Sequence, residues 1–297
     1  MEFRTLKYFL AVAQEESITK AANILHITQP TLSRQMNDLE EELGTRLFVR
    51  TNRNTMLSED GIVFKQRTID LVNLMEKAEN EFKHDSGDIY GDIHIGSIET
   101  ESMDIVIETI RSLVCKYPGI KYHFYNGNSD ELIARLDAGL LDFCLIFGRI
   151  NEERYEKLTF PHGDSTGILT VKDSPYANLP GVTLTELRKM KLIISSRLTG
   201  GVVPIEGHHD VKIDLTSFDV IGTFTQIHDA KLMVRAGICN AVSVGRPGDA
   251  GDKGDLAFIP FVPDAYAVPA FIWKKSQIMP QANRIFIDAI SAKIKNS

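Results

Sequence analysis

Between Thr28 and Asn37 the chain carries Gln29, Thr31, Ser33, Arg34, Gln35 and Asn37 interleaved with Leu32 and Met36. Amide, hydroxyl and guanidinium groups in that pattern have the donors and acceptors that read base edges: Gln pairs with adenine, Arg with guanine or a phosphate, and a Thr methyl with thymine. Arg46, Arg50 and Arg53 follow within a short polar stretch, where they can reach phosphates or a minor groove. Other chemical signals are thin. His208 and His209, with Asp210 beside them, suggest a metal, but adjacent residues on a strand face opposite ways. There is no Gly-x-Ser-x-Gly elbow, phosphate loop or dinucleotide fingerprint, and the runs "GDIYGDIHIG" and "GDAGDKGD" have turn-like rather than ion-binding spacing. The reading assigns no catalytic residue, no cofactor and no metal site.

The elements that must position this polar stretch are legible around it. Leu6, Phe9, Leu10 and Ala13 repeat at i, i+3, i+4, i+7 and mark a first helix. Ser17 can cap a second, in which Ile18, Ala21, Ala22 and Leu25 keep the spacing and the two alanines allow a close crossing. Thr28 is placed to cap a third helix whose first turn tolerates Pro30. Leu32, Met36, Leu39 and Leu43 form its expected buried stripe, and Gly44 its stop. Leu47 to Leu57 then reads as two short strands around a polar turn, a wing.

Ser58, Glu59 and Asp60 supply a capping hydroxyl and two carboxylates at the start of a long helix expected from Ile62 to about His84. Phe64, Leu71 and Ala78 recur every seven residues, with Thr68, Met75 and Phe82 as a second series, so an a/d seam is expected to pair with a second copy of the chain or to pack on its own next domain. Residues 85–91 read as a hinge.

From Asp92 the period changes. Strand and helix patterns alternate: a strand at Ile93 to Ser97, a helix from Met103 to Val114, a strand at Ile120 to Tyr125, a helix from Ser129 to Ala138 and the fully apolar strand "FCLIF". That alternation builds an open α/β sheet, whose ligands sit beyond the carboxyl ends of the strands. The rule selects the loops at residues 97–102, 126–129 and 148–149. Further strands are expected at residues 167–171, 191–195, 220–223 and 241–244, with a strand at 271–274 and a final helix at 282–294 returning to the first lobe. Two lobes crossed by two strands define a cleft.

A chain of 297 residues with a net charge of -7 is long enough for more than one domain, and its charge opposes bulk coating of nucleic acid or membrane while leaving room for one locally basic module. No stretch has the apolar length of a membrane span or a secretory core, which points to the cytoplasm. Cys115, Cys144 and Cys239 are far apart and odd in number, as reduced structural thiols would be.

The segments "SITKAA", "ITQPTLSRQ" and "LEEELGTRLFVR" resemble the N-terminal signature of LysR-type transcriptional regulators, and the likeness runs from Leu6 to Gly61. "YPGIKYHFYNGNSDELIARLDAGLLDFCLIFG", "AKLMVRAGI" and "FIWKK" resemble, more loosely, the effector domain of the same family. The resemblance implies an α+β multi-domain chain. It comprises a winged helix-turn-helix over residues 1–58, a linker helix and hinge over 59–88, and an α/β effector domain over 89–297 similar to periplasmic binding proteins. Lobe I is expected at about 89–160 plus 268–297 and lobe II at about 161–267. Carried onto this sequence, it assigns DNA contacts to Thr28, Gln29, Pro30, Thr31, Ser33 and Arg34, with Arg50 and Arg53 in the wing. It places an effector near Thr100, Glu101, Ser102, Asn128, Ser129, Arg149, Ser195, Ser196, Thr225 and Gln226, where hydroxyls and amides suit a small polar or carboxylated ligand. The implied partners are double-stranded DNA with inverted-repeat half-sites, that effector, and the chain itself as a homodimer or dimer of dimers. The alternative is a DNA-binding regulator without a small-molecule effector, its C-terminal domain serving assembly or redox or metal sensing, with Cys144 or Cys239 as the redox thiol.

Overall fold

The computed structural model describes residues 1–50, 55–81, 89–196, 202–203, 211–212, 217–245, 254–277 and 279–295. Arg53, Phe82, most of the hinge, His208, His209, Asp210 and most of the 245–255 loop lie outside the described residues. The chain divides into two compact units, residues 1–85 and 86–297.

The first unit contains α1 (Phe3–Glu15), α2 (Ile18–Ile24), α3 (Gln29–Leu43), β1 (Phe48–Arg50), β2 (Thr55–Leu57) and α4 (Glu59–Glu81). Ser17 caps α2 by accepting from the Lys20 amide, and Thr28 caps α3 by accepting from the Thr31 amide. Gly44 then closes α3 with a left-handed φ of +69°, the conformation a residue without Cβ takes most cheaply. Ala21 and Ala22 are buried in a core that gathers Phe9, Val12, Leu32, Met36, Leu39, Leu47 and Phe48. β1 and β2 pair antiparallel with Phe48 opposite Leu57, giving the wing.

Two features depart from the periodicity reading. Leu43 is 39% exposed, and Glu40 is buried in the helix's last turn. The chain turns back at Gly44 so that the start of β1 covers the face carrying Glu40 and leaves Leu43 outside. The seam of α4 is also split. Thr68 is buried and donates to the Phe64 carbonyl, while the Phe64 ring sits 4.9 Å from that of Phe9 and so packs on the chain's own first helix. Leu71, Leu74 and Met75 remain exposed.

The second unit holds two sheets. The first orders β4 (Gly119–Asn126), β3 (Tyr90–Ser97), β5 (Phe143–Ile146), β15 (Ala270–Lys274) and β6 (Tyr155–Thr159), with helices α5 (Met103–Val114), α6 (Ser129–Asp137) and α9 (Gln281–Lys295). β3 runs parallel to β4 and β5, but β15 is antiparallel to both β5 and β6. All four residues of β5 are buried between two neighbours, which explains its unbroken apolar run. The second sheet orders β11 (Asp219–Phe224), β8 (Lys191–Ser195), β12 (Asn240–Gly245), β7 (Asp164–Val171) and β13 (Leu256–Pro260), with β14 (Tyr266–Ala267) also on β7 and helices α7 (Leu184–Leu187) and α8 (Ile227–Arg235). Two short strands, β9 (Val202–Val203) and β10 (Val211–Lys212), pair apart from it. The chain passes between the sheets twice, from β6 to β7 and from β14 to β15. β6, β13 and α7 are elements that the sequence pattern did not reveal. Among the described residues no helix is long and apolar enough to cross a membrane.

Candidate functional site

The candidate recognition surface is built on α3. Leu32 and Met36 are fully buried and Leu39 nearly so, anchors worth about 1.5–3 kcal/mol each in transfer from water. With that stripe fixed, Thr28, Gln29, Pro30, Thr31 and Arg34 are exposed and Ser33 is half-buried at the edge of the same face. Thr28 and Thr31 also bond to each other through their hydroxyls at 2.7 Å, which ties the cap to the first turn. The Arg34 side chain is 85% exposed and meets Asp38 only at 3.9 Å. An exposed pair of that kind holds its guanidinium by less than about 1 kcal/mol, so the group stays available to a base or a phosphate. Gln35 belongs to a different surface, because its amide oxygen accepts from the Thr5 hydroxyl of α1 at 3.2 Å.

Glu40 is the supporting residue beneath this surface that pattern reading missed. One carboxylate oxygen accepts from the Leu47 amide at 2.7 Å and the Phe48 amide at 3.0 Å, while the other accepts from Arg46 at 2.9 Å. Arg46 therefore holds the base of the wing rather than reaching outward unpaired. The available signal was a glutamate at i+8 from Leu32 and i+4 from Met36, on the stripe that hydropathy assigns to leucines. The root of the wing is tied further by Ser58, whose hydroxyl donates to the Arg46 carbonyl at 2.6 Å and accepts from the Gly61 amide at 2.9 Å. A Cβ on Gly61 would lie 2.1 Å from the Leu47 carbonyl oxygen, so α4 can start this close to the wing only with glycine there. Arg50 closes β1 opposite Thr55.

In the second unit, the loops after β3, β4 and β5 leave one end of the first sheet. Thr100 accepts from the Ser102 amide at 3.2 Å, the Glu101 amide donates to the buried Asp164 at 3.2 Å, and Ser102 is buried. Asn128 caps α6 by accepting from the Glu131 amide at 2.9 Å. Ser129 is buried and donates to the Phe147 carbonyl at 3.1 Å, two residues before the exposed Arg149. In the second sheet, Ser195 pairs with Phe224, so Ser195 and Ser196 leave β8 beside Thr225 and Gln226, which leave β11. One further bond joins the two groups of loops. Glu99, next to Thr100, accepts from the Ile227 amide at 2.9 Å, at the first turn of α8. Gln226 occupies the N-cap position there without a side-chain cap, and the carboxylate from the other lobe takes that place. Sequence reading named Glu99's neighbours but not Glu99.

Two family models match this chain. The model for bacterial regulatory helix-turn-helix proteins of the lysR family covers residues 3–62, and that for the LysR substrate binding domain covers residues 86–295. The chain belongs to the LysR family. It is 28% identical over 195 residues to the hydrogen peroxide-inducible genes activator of Pectobacterium carotovorum subsp. carotovorum, covering 65% of this chain and 64% of that one. It is 32% identical over 190 residues to the HTH-type transcriptional regulator YnfL of Escherichia coli (strain K12), covering 64% of each. The chain thus spans somewhat less than two thirds of the length of these relatives. Among solved structures, CbnR, a LysR family transcriptional regulator, matches over 99% of each chain with a TM-score of 0.72 at 19% identity. Full-length CbnR complexed with its target DNA matches over 99% of this chain and 100% of that one, with a TM-score of 0.71 at 21% identity. The likeness at those identities is one of fold.

The cysteines of this LysR-family protein differ in setting. All three are free thiols: Cys144 lies inside the first sheet and Cys239 is buried ahead of β12, whereas Cys115, at the end of α5, is exposed. Burial pushes the Cys144 thiol far above its ordinary range and raises that of Cys239. Reactive thiols need the opposite shift.

Proposed function

We propose that this LysR-family protein is a sequence-specific DNA-binding transcriptional regulator whose hold on promoter DNA is modulated by a small molecule bound between the lobes of its second unit. It acts in the cytoplasm as a homodimer, or a dimer of dimers, on inverted-repeat half-sites, and performs no catalytic step. The observation that carries the reading is the exposed polar first turn and a half of α3, capped at Thr28 and anchored beneath by Leu32 and Met36. Thr28, Gln29, Pro30, Thr31, Ser33 and Arg34 meet the major groove, and Arg50 and Arg53 meet the backbone or minor groove. The exposed row of Leu71, Leu74 and Met75 on α4 supports pairing of two copies, which would present two recognition helices to two half-sites.

For the effector, Thr100, Glu101, Ser102, Asn128, Ser129, Arg149, Ser195, Ser196, Thr225 and Gln226 line the inter-lobe opening, and a small polar or carboxylated ligand suits their hydroxyls and amides. A carboxylate aimed at α8 has to displace Glu99. Regulation then follows only if the ligand binds the two arrangements of the protein unequally.

The test is fluorescence anisotropy of the full chain on duplexes taken from upstream of its own gene and of random sequence. Gln29→Ala and Arg34→Ala should weaken the cognate duplex by about 5- to 150-fold, the range of one bidentate base contact, and random DNA far less. Equal losses on both would end the base-reading assignment. For the cleft, small carboxylates and amino acids are screened by thermal shift, and a shift unaffected by Thr100→Ala combined with Ser196→Ala would move the effector elsewhere.

A further inference from the structure

A surface cavity of about 370 Å³ in the first lobe is lined by Asp137, Glu153, Arg154, Lys274, Lys275 and Ser276. Its position follows from register. β15 runs antiparallel to β5 with Ile272 opposite Cys144, so Lys274 lies at the amino end of β5. That is the end of the sheet away from the loops at residues 97–102 and 126–129. On the other flank Lys274 pairs with Tyr155, which brings Arg154 alongside.

The hydrogen-bonding capacity of this cavity is unbalanced. Asp137 is already committed: one oxygen accepts from Arg154 at 2.8 Å and the other from the Tyr155 hydroxyl at 2.8 Å. Burial and the Asp137 carboxylate push the Tyr155 phenol up to about 12, which keeps that proton in place. The half-buried Lys274 ammonium donates to the Asp137 carbonyl at 3.1 Å, and among the described residues no carboxylate pairs with it. Lys275 meets Glu156 only at 4.0 Å. Two of the three donors on Lys274, those of Lys275 and the remaining N–H groups of Arg154 are thus available. Glu153 and the nearby Glu156 are exposed on the acidic side of the balance. Three cations, Arg154, Lys274 and Lys275, thus face two carboxylates in the lining, Asp137, which is consumed, and Glu153, and the remaining N–H donors with the Ser276 hydroxyl are matched by a ligand with several anionic oxygens. The volume lies within the roughly 300–1,000 Å³ range of small-molecule sites.

We propose that this cavity is a second ligand site, for a small multivalent oxyanion bearing phosphate or several carboxylates, held by Lys274, Lys275 and Arg154 and separate from the inter-lobe opening. The test is isothermal titration calorimetry on the full chain with inorganic phosphate, and in parallel with citrate, each at ionic strength matched with sodium chloride. At least one of the two should saturate one site per chain, and which one does names the class. Lys274→Gln should weaken that binding by about tenfold or more, the effect of losing one charge-assisted bond. Arg34→Ala, which removes a phosphate-seeking group from α3, should leave the same site unchanged. Lys275→Gln, at an exposed position, tests the same cavity should Lys274→Gln disturb folding. Failure of both anions to saturate, or wild-type affinity in both folded lysine variants, would overturn the proposal. Neither result touches the anisotropy test of DNA reading.

Discussion

Replacing Glu40 by alanine isolates the joint between α3 and the wing. The side chain is only 4% exposed and accepts three bonds, two of them from the amides of the buried Leu47 and Phe48. Alanine leaves both amides without an acceptor where water has little access, and each such donor costs about 1–3 kcal/mol. Allowing for partial entry of water into the space left behind, the loss should be about 2–4 kcal/mol. At roughly 4–8 °C per kcal/mol for a domain of 60–100 residues, the first unit should melt at least ~8 °C lower. Glutamine keeps an acceptor for the two amides but gives up the charge assistance, about half the strength of such bonds, so Glu40→Gln should fall well short of alanine. Arg46→Ala should cost less than ~1 kcal/mol, since that side chain is 79% exposed.

The sequence supplies its own control. The single tryptophan, Trp273, lies on β15 in the second unit, so its fluorescence follows that unit alone, whereas far-UV circular dichroism also follows the helical first unit. Thermal melts of full-length Glu40→Ala should show the helical transition displaced and the tryptophan transition unmoved. On cognate DNA the same variant should lose affinity even well below its melting point, because the wing is no longer held against α3. Equal costs for Glu40→Ala and Arg46→Ala, or a tryptophan transition that falls together with the other, would refute the reasoning.

Glu99→Gln removes the charge from one of the bonds that span the lobes, and hydrogen exchange at the Ile227 amide should accelerate severalfold with little change elsewhere in α8; unchanged protection would mean that the bond does not persist in solution. The thiols should separate by alkylation at neutral pH, Cys115 reacting in the native state and Cys144 only after unfolding; because the native Cys144 pKa is raised, its protonated form prevails at neutral pH, and any stability linked to it declines as pH rises past the unfolded thiol's value. Native labelling of Cys144 at the Cys115 rate would reopen the redox reading. Leu71→Asp with Leu74→Asp should lower the sedimentation coefficient from that of a dimer to that of a monomer while Trp273 melting is unchanged, and an undiminished dimer would place the interface away from α4.

Much of the first unit was legible because its signals are local. A hydroxyl before each of α2 and α3, a glycine after α3 and apolar residues at helical spacing act within one or two turns, and Ser17, Thr28 and Gly44 all occupy the cap positions expected of them. Leu43 and Glu40 exchanged places for a reason that helical periodicity does not encode. The buried spot on the last turn of α3 is defined by two backbone amides arriving from β1, and amides call for an acceptor where the apolar pattern calls for leucine. The seam of α4 is divided for a similar reason: Phe64 satisfies the heptad but Phe9 from α1 reaches it within the chain, while Leu71 and Met75 stay exposed.

The second unit was legible strand by strand and much less so as a surface. β6 and β13 escaped notice because "YEKLT" is an edge strand that is mostly solvated and "LAFIP" follows a glycine-rich stretch of sequence with no apolar periodicity. The antiparallel return of β15 could not be read from its own five residues, since its direction is fixed by the chain's second passage between lobes. What that return creates is a meeting of residues remote in sequence. Lys274 comes to rest on the carbonyl of Asp137, and Glu99 on the amide of Ile227. A helix start looks open to any anion when its own sequence is inspected, and at α8 the chain supplies the anion from the opposite lobe. Under the proposed cleft assignment, an anionic effector docking at α8 competes with Glu99 for one set of donors. On that proposal a neutral polar ligand can enter with the Glu99–Ile227 bond intact, whereas a carboxylate docking at α8 must first displace Glu99, so only the carboxylate class should part Glu99 from α8.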